Sequence, residues 1–438
     1  MSSLELRFDW EDPGGAQGAE LRATWARLEI RVDGTTITRV IDQRVRSWRD
    51  YVVLPIYPLA EWLVSHWWAL QLEPERSAAP DLVSFLQRHS LVHAREGFAL
   101  PALSILPAGE WVQLRWQAQE LPHQQISFPC SGTAWITAAE AQDALGGFIT
   151  SVVERLDQQG IRETRLQDDW QAILNADPEE EAFCRCAGSL GLDPYSLPEA
   201  YGAALVDLAA QVSEDLRNEF FQAASTKDLG QLRDSLIALK QAQAMILEQH
   251  DQPDELCALK QNLGTATLPY HDLPWIQGYS LARTLRGMLP DAGASLHAEA
   301  LLSQLFGEGS ALMGQKEWHG VRDFVAYVGP NASGAPGFVL AAATPQRRRF
   351  LLARALGLYL WPTSRKEGLI TMAATTEQKR NRAFAAELLA PADALRAAIQ
   401  GPVVGSDELD QLAHCYGVTS ELIRRQLANH EIATVGED

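Results

Sequence analysis

The sequence predicts an α+β protein in three parts: a β-rich, tryptophan-rich domain over residues 1–136, a helical domain over 137–262, and a mostly helical C-terminal domain with a small sheet over 263–438. Three observations predict this. The chain has 438 residues, more than one hydrophobic core usually serves, so two or three domains are expected. Apolar residues alternate between turn dipeptides in the first part, which is the period of a strand. From Thr137 to about Leu263 the apolar spacing becomes that of helices and stays so almost without a break.

The elements follow in order. Leu28, Ile30 and Val32 alternate up to Asp33-Gly34, and Thr35–Ile41 follows, which predicts a hairpin. A second hairpin is predicted from Phe98–Ile105 through a turn at Pro107–Gly109 to Val112, Leu114 and Trp116. Between the two, Pro58–Leu70 has helical spacing. Nine of the 13 tryptophans lie in this first part, Trp62, Trp67 and Trp68 among them, and filling a small β-domain's core is expected over an aromatic recognition surface. Ala138–Leu156, Leu205–Phe221 and Leu229–Gln249 read as helices, with a loop over Gly191–Ala200. Beyond a break at TLPYHDLPW, Ile276–Leu289 and His297–Phe306 read as helices, and Phe324–Val328 and Phe338–Ala342 as short strands. From Pro345 the chain is helical again, with loops near Trp361–Ile370 and Gly401–Ser406.

Composition excludes several classes. Apolar residues at 46% and charged residues at 21% are ordinary for a soluble globular protein. A net charge of −19 argues against a general coating protein for nucleic acid, which needs a basic footprint. The opening MSSLELRFDWEDPGG lacks the basic start and apolar core of a secretory signal, and no stretch has the length of a membrane span. Cys130, Cys184, Cys186, Cys257 and Cys415 are few, odd in number and without disulfide-framework spacing, so a cytoplasmic setting is expected. Cys184-Arg-Cys186 is too close-spaced for a zinc knuckle and reads as two helix cysteines.

Three segments near the C-terminus carry a resemblance. RRRFLLARALGLYLW (Arg347–Trp361) follows a short apolar strand, RNRAFAAELLAPADAL spans Arg380–Leu395, and DELDQLAHCYGVTSELIRRQL spans Asp407–Leu427. In this order and at these gaps they resemble the ImmA/IrrE metallopeptidases, in which an H-E-x-x-H helix after such a strand is followed by an FAAELL helix and closing helices around a YGV turn. The resemblance is good over Phe338–Ile432, weak back to about Tyr270, and absent before that. It implies a zincin-like C-terminal domain.

It also implies that the chemistry is missing. Two histidines one helical turn apart grip a zinc ion, and the glutamate between them takes a proton from metal-bound water. Alignment places Arg354 at the first histidine, Ala355 at the glutamate and Leu358 at the second histidine. Arginine stays protonated and has no lone pair to donate, alanine takes no proton, and leucine offers no ligand. For the third, acidic ligand Glu377 is the nearest candidate, although strict register from Phe384 falls near Arg380. The degenerate positions are therefore Arg354, Ala355, Leu358 and Glu377, and no metal or other cofactor is expected. The ten histidines (His66, His89, His93, His123, His250, His271, His297, His319, His414 and His430) offer no substitute. Only His89 and His93 stand four apart, in a segment that reads as a helix end or loop, where a surface or capping role is expected.

Residues Phe350–Trp361 are apolar apart from Arg354, which predicts a buried helix. Arg354 is expected to pair with Glu377 or Glu387 across the space a metal would occupy, or to extend to solvent at the helix edge. From Arg347 to Arg382, nine basic residues (Arg347, Arg348, Arg349, Arg354, Arg365, Lys366, Lys379, Arg380 and Arg382) face two acids, Glu367 and Glu377, a local +7. Arg347, Arg348, Arg349, Arg354, Lys379, Arg380 and Arg382 are the candidate binding residues, read as a rim or a protein-partner surface before a nucleic-acid site. Asp407–Leu427 has a helix-turn-helix outline, with Arg424 and Arg425 as the residues that would touch DNA. Related peptidases carry the same element within their fold, so the outline alone does not make a DNA reader.

The expected function is that of a non-catalytic ImmA/IrrE-like protein, a regulatory or interaction component. The resemblance implies a bacterial or phage setting of stress response, toxin–antitoxin pairs or phage defence. A protein partner is expected, nucleic acid is the lesser expectation, and no membrane is implied. A DNA-binding transcriptional regulator and a zinc metallopeptidase with an atypical site are the alternatives.

Overall fold

The computed structural model describes residues 3–13, 18–44, 46–76, 82–121, 123, 125–249, 254–264, 268–269, 272–289, 297–306 and 318–436. His250 lies outside them, as do Thr267, Tyr270 and His271 of the TLPYHDLPW break. The chain is mixed α and β and divides into two compact units, Met1–Ala209 and Ala210–Asp438. The helices expected as a separate middle domain fall on both sides of that division.

In the first unit, Trp25–Val32 pairs antiparallel with Leu4–Trp10, Thr35–Thr36 and Val52–Pro55. Leu28, Ile30 and Val32 are fully buried, as their alternation requires. Asp33 (φ 49°) and Gly34 (φ 74°) turn the chain, and two successive positive φ angles match the twist of a tight hairpin. Ala102–Pro107, Trp111–Gln117 and Gly132–Thr137 form a second antiparallel sheet that contains the other expected hairpin. The long helix Ala138–Gln158 starts on a reciprocal cap, with the Thr137 hydroxyl accepting from the Glu140 amide and the Glu140 carboxylate accepting from the Thr137 amide. The segment expected as one helix over Pro58–Leu70 is two, Tyr57–Ser65 and Trp67–Leu72, broken at His66. Trp62, Trp67, Trp68 and Trp116 fill the core, whereas Trp48 is 66% exposed. Cys184 and Cys186 are buried on the helix Pro178–Ser189.

The helix expected over Leu205–Phe221 is also two, Glu199–Ala210 and Glu214–Ala223. Leu205, Leu208, Val212 and Leu216 are all buried, so apolar spacing runs through the break without marking it. The local signal for a new start is Ser213 ahead of Glu214 and Asp215, acids that favour a helix N-terminus.

In the second unit, Phe324–Pro330 is the central strand between Pro336–Leu340 and Gly368–Thr371, all antiparallel. Gly368–Thr371 lies where a loop was expected. Its four residues are buried, but four are too few to show a period. Gln249, just past the helix Leu229–Leu247, extends the outer strand, because its side chain donates to the Phe338 carbonyl (2.8 Å) and accepts from the Phe338 amide (3.1 Å). The helices Pro345–Leu360, Thr376–Leu389 and Pro274–Met288 pack together. Glycine permits this: a Cβ at Gly278 would stand 2.3 Å from the Arg380 carbonyl oxygen, and one at Gly357 would stand 2.5 Å from the Phe384 ring. The helices Ser406–Tyr416 and Ser420–Asn429 follow, joined through Gly417 in the left-handed conformation (φ 67°). Among the described residues no helix is long and apolar enough to cross a membrane.

Candidate functional site

The helix Pro345–Leu360 carries all three residues aligned with a zinc motif, and all three are buried. Ala355 is fully enclosed, and Leu358 packs so closely on Gly368 that a Cβ there would meet its Cδ2 at 2.8 Å. Arg354 is only 2% exposed, so it does not extend to solvent. Nor does it pair with a carboxylate. One Nη donates to the Thr371 carbonyl (2.9 Å) and to the Gln378 side-chain oxygen (2.7 Å), while its Nε is buried without a hydrogen-bond partner. Both expectations for Arg354 are thereby corrected. Glu387 is committed to Arg283 (2.8 Å), Gln426 (3.2 Å) and His430 (3.4 Å), and Glu377 to other cations. Burial, reinforced by the neighbouring Arg382, pulls the Arg354 guanidinium well below its ordinary pKa.

Gln378 is the side chain that organises this place. Its oxygen accepts from Arg354 and from the Thr371 amide (2.9 Å), and its nitrogen donates to the Leu369 carbonyl (2.7 Å) and to Glu219 (3.3 Å). A helix side chain thus holds the strand Gly368–Thr371 and the buried arginine at once. Arg382 approaches the same strand end and donates to the carbonyls of Thr371 (3.2 Å) and Ala373 (3.0 Å). Burial, then the charge of Arg425, lowers Arg382 to about 10. Among the described residues no carboxylate lies within ion-pair distance of Arg354 or Arg382. Two guanidiniums therefore share one carbonyl oxygen, that of Thr371.

Beside them lies a buried carboxyl pair. Glu219 accepts from the Leu369 amide (3.0 Å) and faces Glu377. Glu377 meets Arg365 at 2.7 Å and Arg380 at 3.8 Å, and the Arg380 guanidinium lies 4.1 Å from the centre of the Trp361 ring. Burial and then the adjacent Glu377 raise Glu219 well above the usual carboxylate range. Burial would raise Glu377 too, but its hydrogen bond with Glu219 and the charges of Arg365 and Arg380 outweigh that and lower it. Of the two, Glu219 has the greater hold on a proton.

The basic run is not one patch. Arg347 is exposed, Arg348 partly buried, and Arg349 is tied to the Gly417 carbonyl (3.0 Å) and to Glu299 (2.7 Å). Lys379 and Arg382 are partly buried and Arg354 and Arg380 are buried, so the run is not a uniformly solvated rim. Arg424 and Arg425 are exposed on the second of the closing helices and share Glu421, at 3.8 Å and 2.6 Å. Arg424 lines an open groove of about 600 Å³ together with Leu427, Ile432 and Val435. The inner face of this helix belongs to the fold, as Gln426 donates to the Ala390 carbonyl (2.8 Å).

His89 and His93 do not converge. His89 is fully buried, with Nδ1 2.8 Å from the Ile105 carbonyl and Nε2 3.1 Å from Glu73, which corrects its expected surface or capping role. Burial alone would raise Glu73, but bonds from Arg88 and His89 hold it at about 2. Among the described residues no group of three or more His, Cys, Asp or Glu stands as a metal-ligand set. Gln378, Thr371 and Glu219 were not expected at the site. The one sequence signal for Gln378 is its place between Glu377 and Arg380, the two positions the resemblance offers for a third ligand. No family model matches the chain, and neither a curated protein nor a solved structure does.

Proposed function

We propose that the chain is a non-catalytic ImmA/IrrE-like protein that works as a regulatory or interaction component, a sensor or adaptor. The observation that carries this reading is the environment of Arg354. A side chain that can neither ligate a metal nor take a proton stands at the first motif position, held by Gln378 and by the strand that follows. Ala355 and Leu358 are packed into the core beside it, and neither side chain has the chemistry to ligate a metal or activate a metal-bound water. The strand–helix–strand–helix order around the site supports the scaffold part of the reading, and the resemblance suggests a bacterial or phage regulatory setting. DNA reading has less support, because both candidate contacts share Glu421.

Rebuilding the motif tests the scaffold. The quadruple variant Arg354→His, Ala355→Glu, Leu358→His, Gln378→Glu places two imidazoles one turn apart, opposite a carboxylate at the position Arg354 now reaches. Elemental analysis of folded protein should find one zinc per chain in the variant and none in the natural chain. A folded variant without zinc would overturn the scaffold reading. Stoichiometric zinc with chelator-sensitive peptide hydrolysis in the natural chain would overturn the non-catalytic one.

A further inference from the structure

We infer that Arg354 and Arg382 form the inner end of a binding site for a phosphate monoester. The inference deepens the non-catalytic reading, since it gives the residues at the degenerate positions a ligand.

Three arginines at this place differ in depth, and the inner two meet at the Thr371 carbonyl. Arg425 is exposed, with 74% of its side chain in solvent, and lies close enough to Arg382 to act on its charge. Arg382 is half-buried and neighbours Arg354, which is enclosed. Arg425 has Glu421 as a partner, but among the described residues the two inner guanidiniums hydrogen-bond only to backbone carbonyls and the neutral amide of Gln378. The carboxyl pair is separated from Arg354 by that amide and is itself matched by Arg365 and Arg380.

A buried charge is normally paired, because the interior cannot screen it as water does. Here two positive charges stand side by side unpaired, and the buried Nε of Arg354 has no acceptor. An incoming anion would supply both what the charges lack and what that nitrogen lacks. The charge count selects its class. One carboxylate neutralises one guanidinium, whereas a phosphate monoester is close to a dianion at neutral pH and offers three oxygens, enough for both. Depth selects the form in which the phosphate arrives. The backbone of a duplex could reach exposed Arg425, whereas Arg354 is enclosed, which favours a terminal phosphate over an internal phosphodiester.

Calorimetric titration of the full chain tests this, with phenyl phosphate, inorganic phosphate and acetate at ionic strength held constant with potassium chloride. Phenyl phosphate should bind with one equivalent per chain and acetate should not. Arg382→Gln should weaken phenyl phosphate about tenfold or more, the loss expected for one charge-assisted bidentate contact. Arg354→Met should weaken it as much while the fold persists by circular dichroism. No binding to the natural chain, undiminished binding to both variants, or acetate binding as tightly as phosphate would each overturn the assignment. So would duplex DNA competing for the site with an affinity that Arg354→Met leaves unchanged, which would place the ligand on the surface arginines. Failure here leaves the zinc result for the rebuilt motif untouched, so the two readings fall separately.

Discussion

Replacing Arg354 by methionine should stabilise the protein. The guanidinium makes two charge-assisted hydrogen bonds, each worth about 1.5–3 kcal/mol. Removing them strands neither acceptor: the Thr371 carbonyl keeps Arg382 at 3.2 Å, and the Gln378 oxygen keeps the Thr371 amide at 2.9 Å. The penalty of roughly 1–3 kcal/mol for an orphaned buried partner therefore does not arise. On the other side, methionine removes a buried charge whose effective desolvation cost is several kcal/mol, a buried Nε without an acceptor, and the repulsion from Arg382. Flexible methionine fills much the same space. Replacements of buried ionic groups by apolar ones of similar volume range from neutral to about 4 kcal/mol stabilising, and an unpaired cation belongs on the stabilising side of neutral, so about 1–3 kcal/mol is expected. Urea denaturation followed by tryptophan fluorescence measures this, and the melting temperature should rise by roughly 2–4 °C per kcal/mol for a unit of this size. Arg354→Ala serves as control. It removes the same charge but leaves a void, and should fall below Arg354→Met by about 2–3 kcal/mol. If Arg354→Met instead loses more than about 1 kcal/mol, the arginine has a compensating partner and the account of the site is wrong.

Two further outcomes follow from neighbouring contacts. Glu219 has a raised pKa, so the folded chain holds a proton that the unfolded chain has released above its ordinary value of 4.5. Stability then declines as pH rises from that value through the folded-state pKa, by at most about 1.4 kcal/mol per pH unit. Glu219→Gln imitates the protonated acid and should flatten this component in urea titrations at successive pH values; an unchanged slope would mean that Glu219 is not the proton holder. Gly278→Ala should destabilise, although alanine normally improves a helix by about 1 kcal/mol, because its methyl would stand 2.3 Å from the Arg380 carbonyl oxygen. Overpacking of this kind costs about 1–3 kcal/mol, and a thermal melt showing a more stable variant would contradict the close packing of these helices.

Much of the second unit was legible because its signals are local. The apolar run around Arg354 announces a buried helix, and Gly417 between two periodic segments announces their turn. The site was legible only in what it lacks. Gln378 looks like an ordinary polar helix residue, and its importance comes from Leu369, Thr371 and Glu219, the last of them 159 residues away in sequence. Glu219 resembles any acid on an amphipathic helix until the strand Gly368–Thr371 is laid against it. The fate of Arg354 depended on which acids had other commitments, and the ties of Glu387 to Arg283, Gln426 and His430 are tertiary facts. The breaks at His66 and near Ser213 escaped notice because apolar spacing continues across them.

Gln249 has a consequence for how the chain behaves among copies of itself. The strand Pro336–Leu340 lies on the outside of its sheet with five buried residues, the sort of border onto which another polypeptide can add a strand. The Gln249 amide occupies both outward groups of Phe338, and the Trp318 carbonyl takes the Ala342 amide (3.1 Å) just beyond the strand. A single side chain and one backbone contact thus close a seam where the protein would otherwise be open to aggregation.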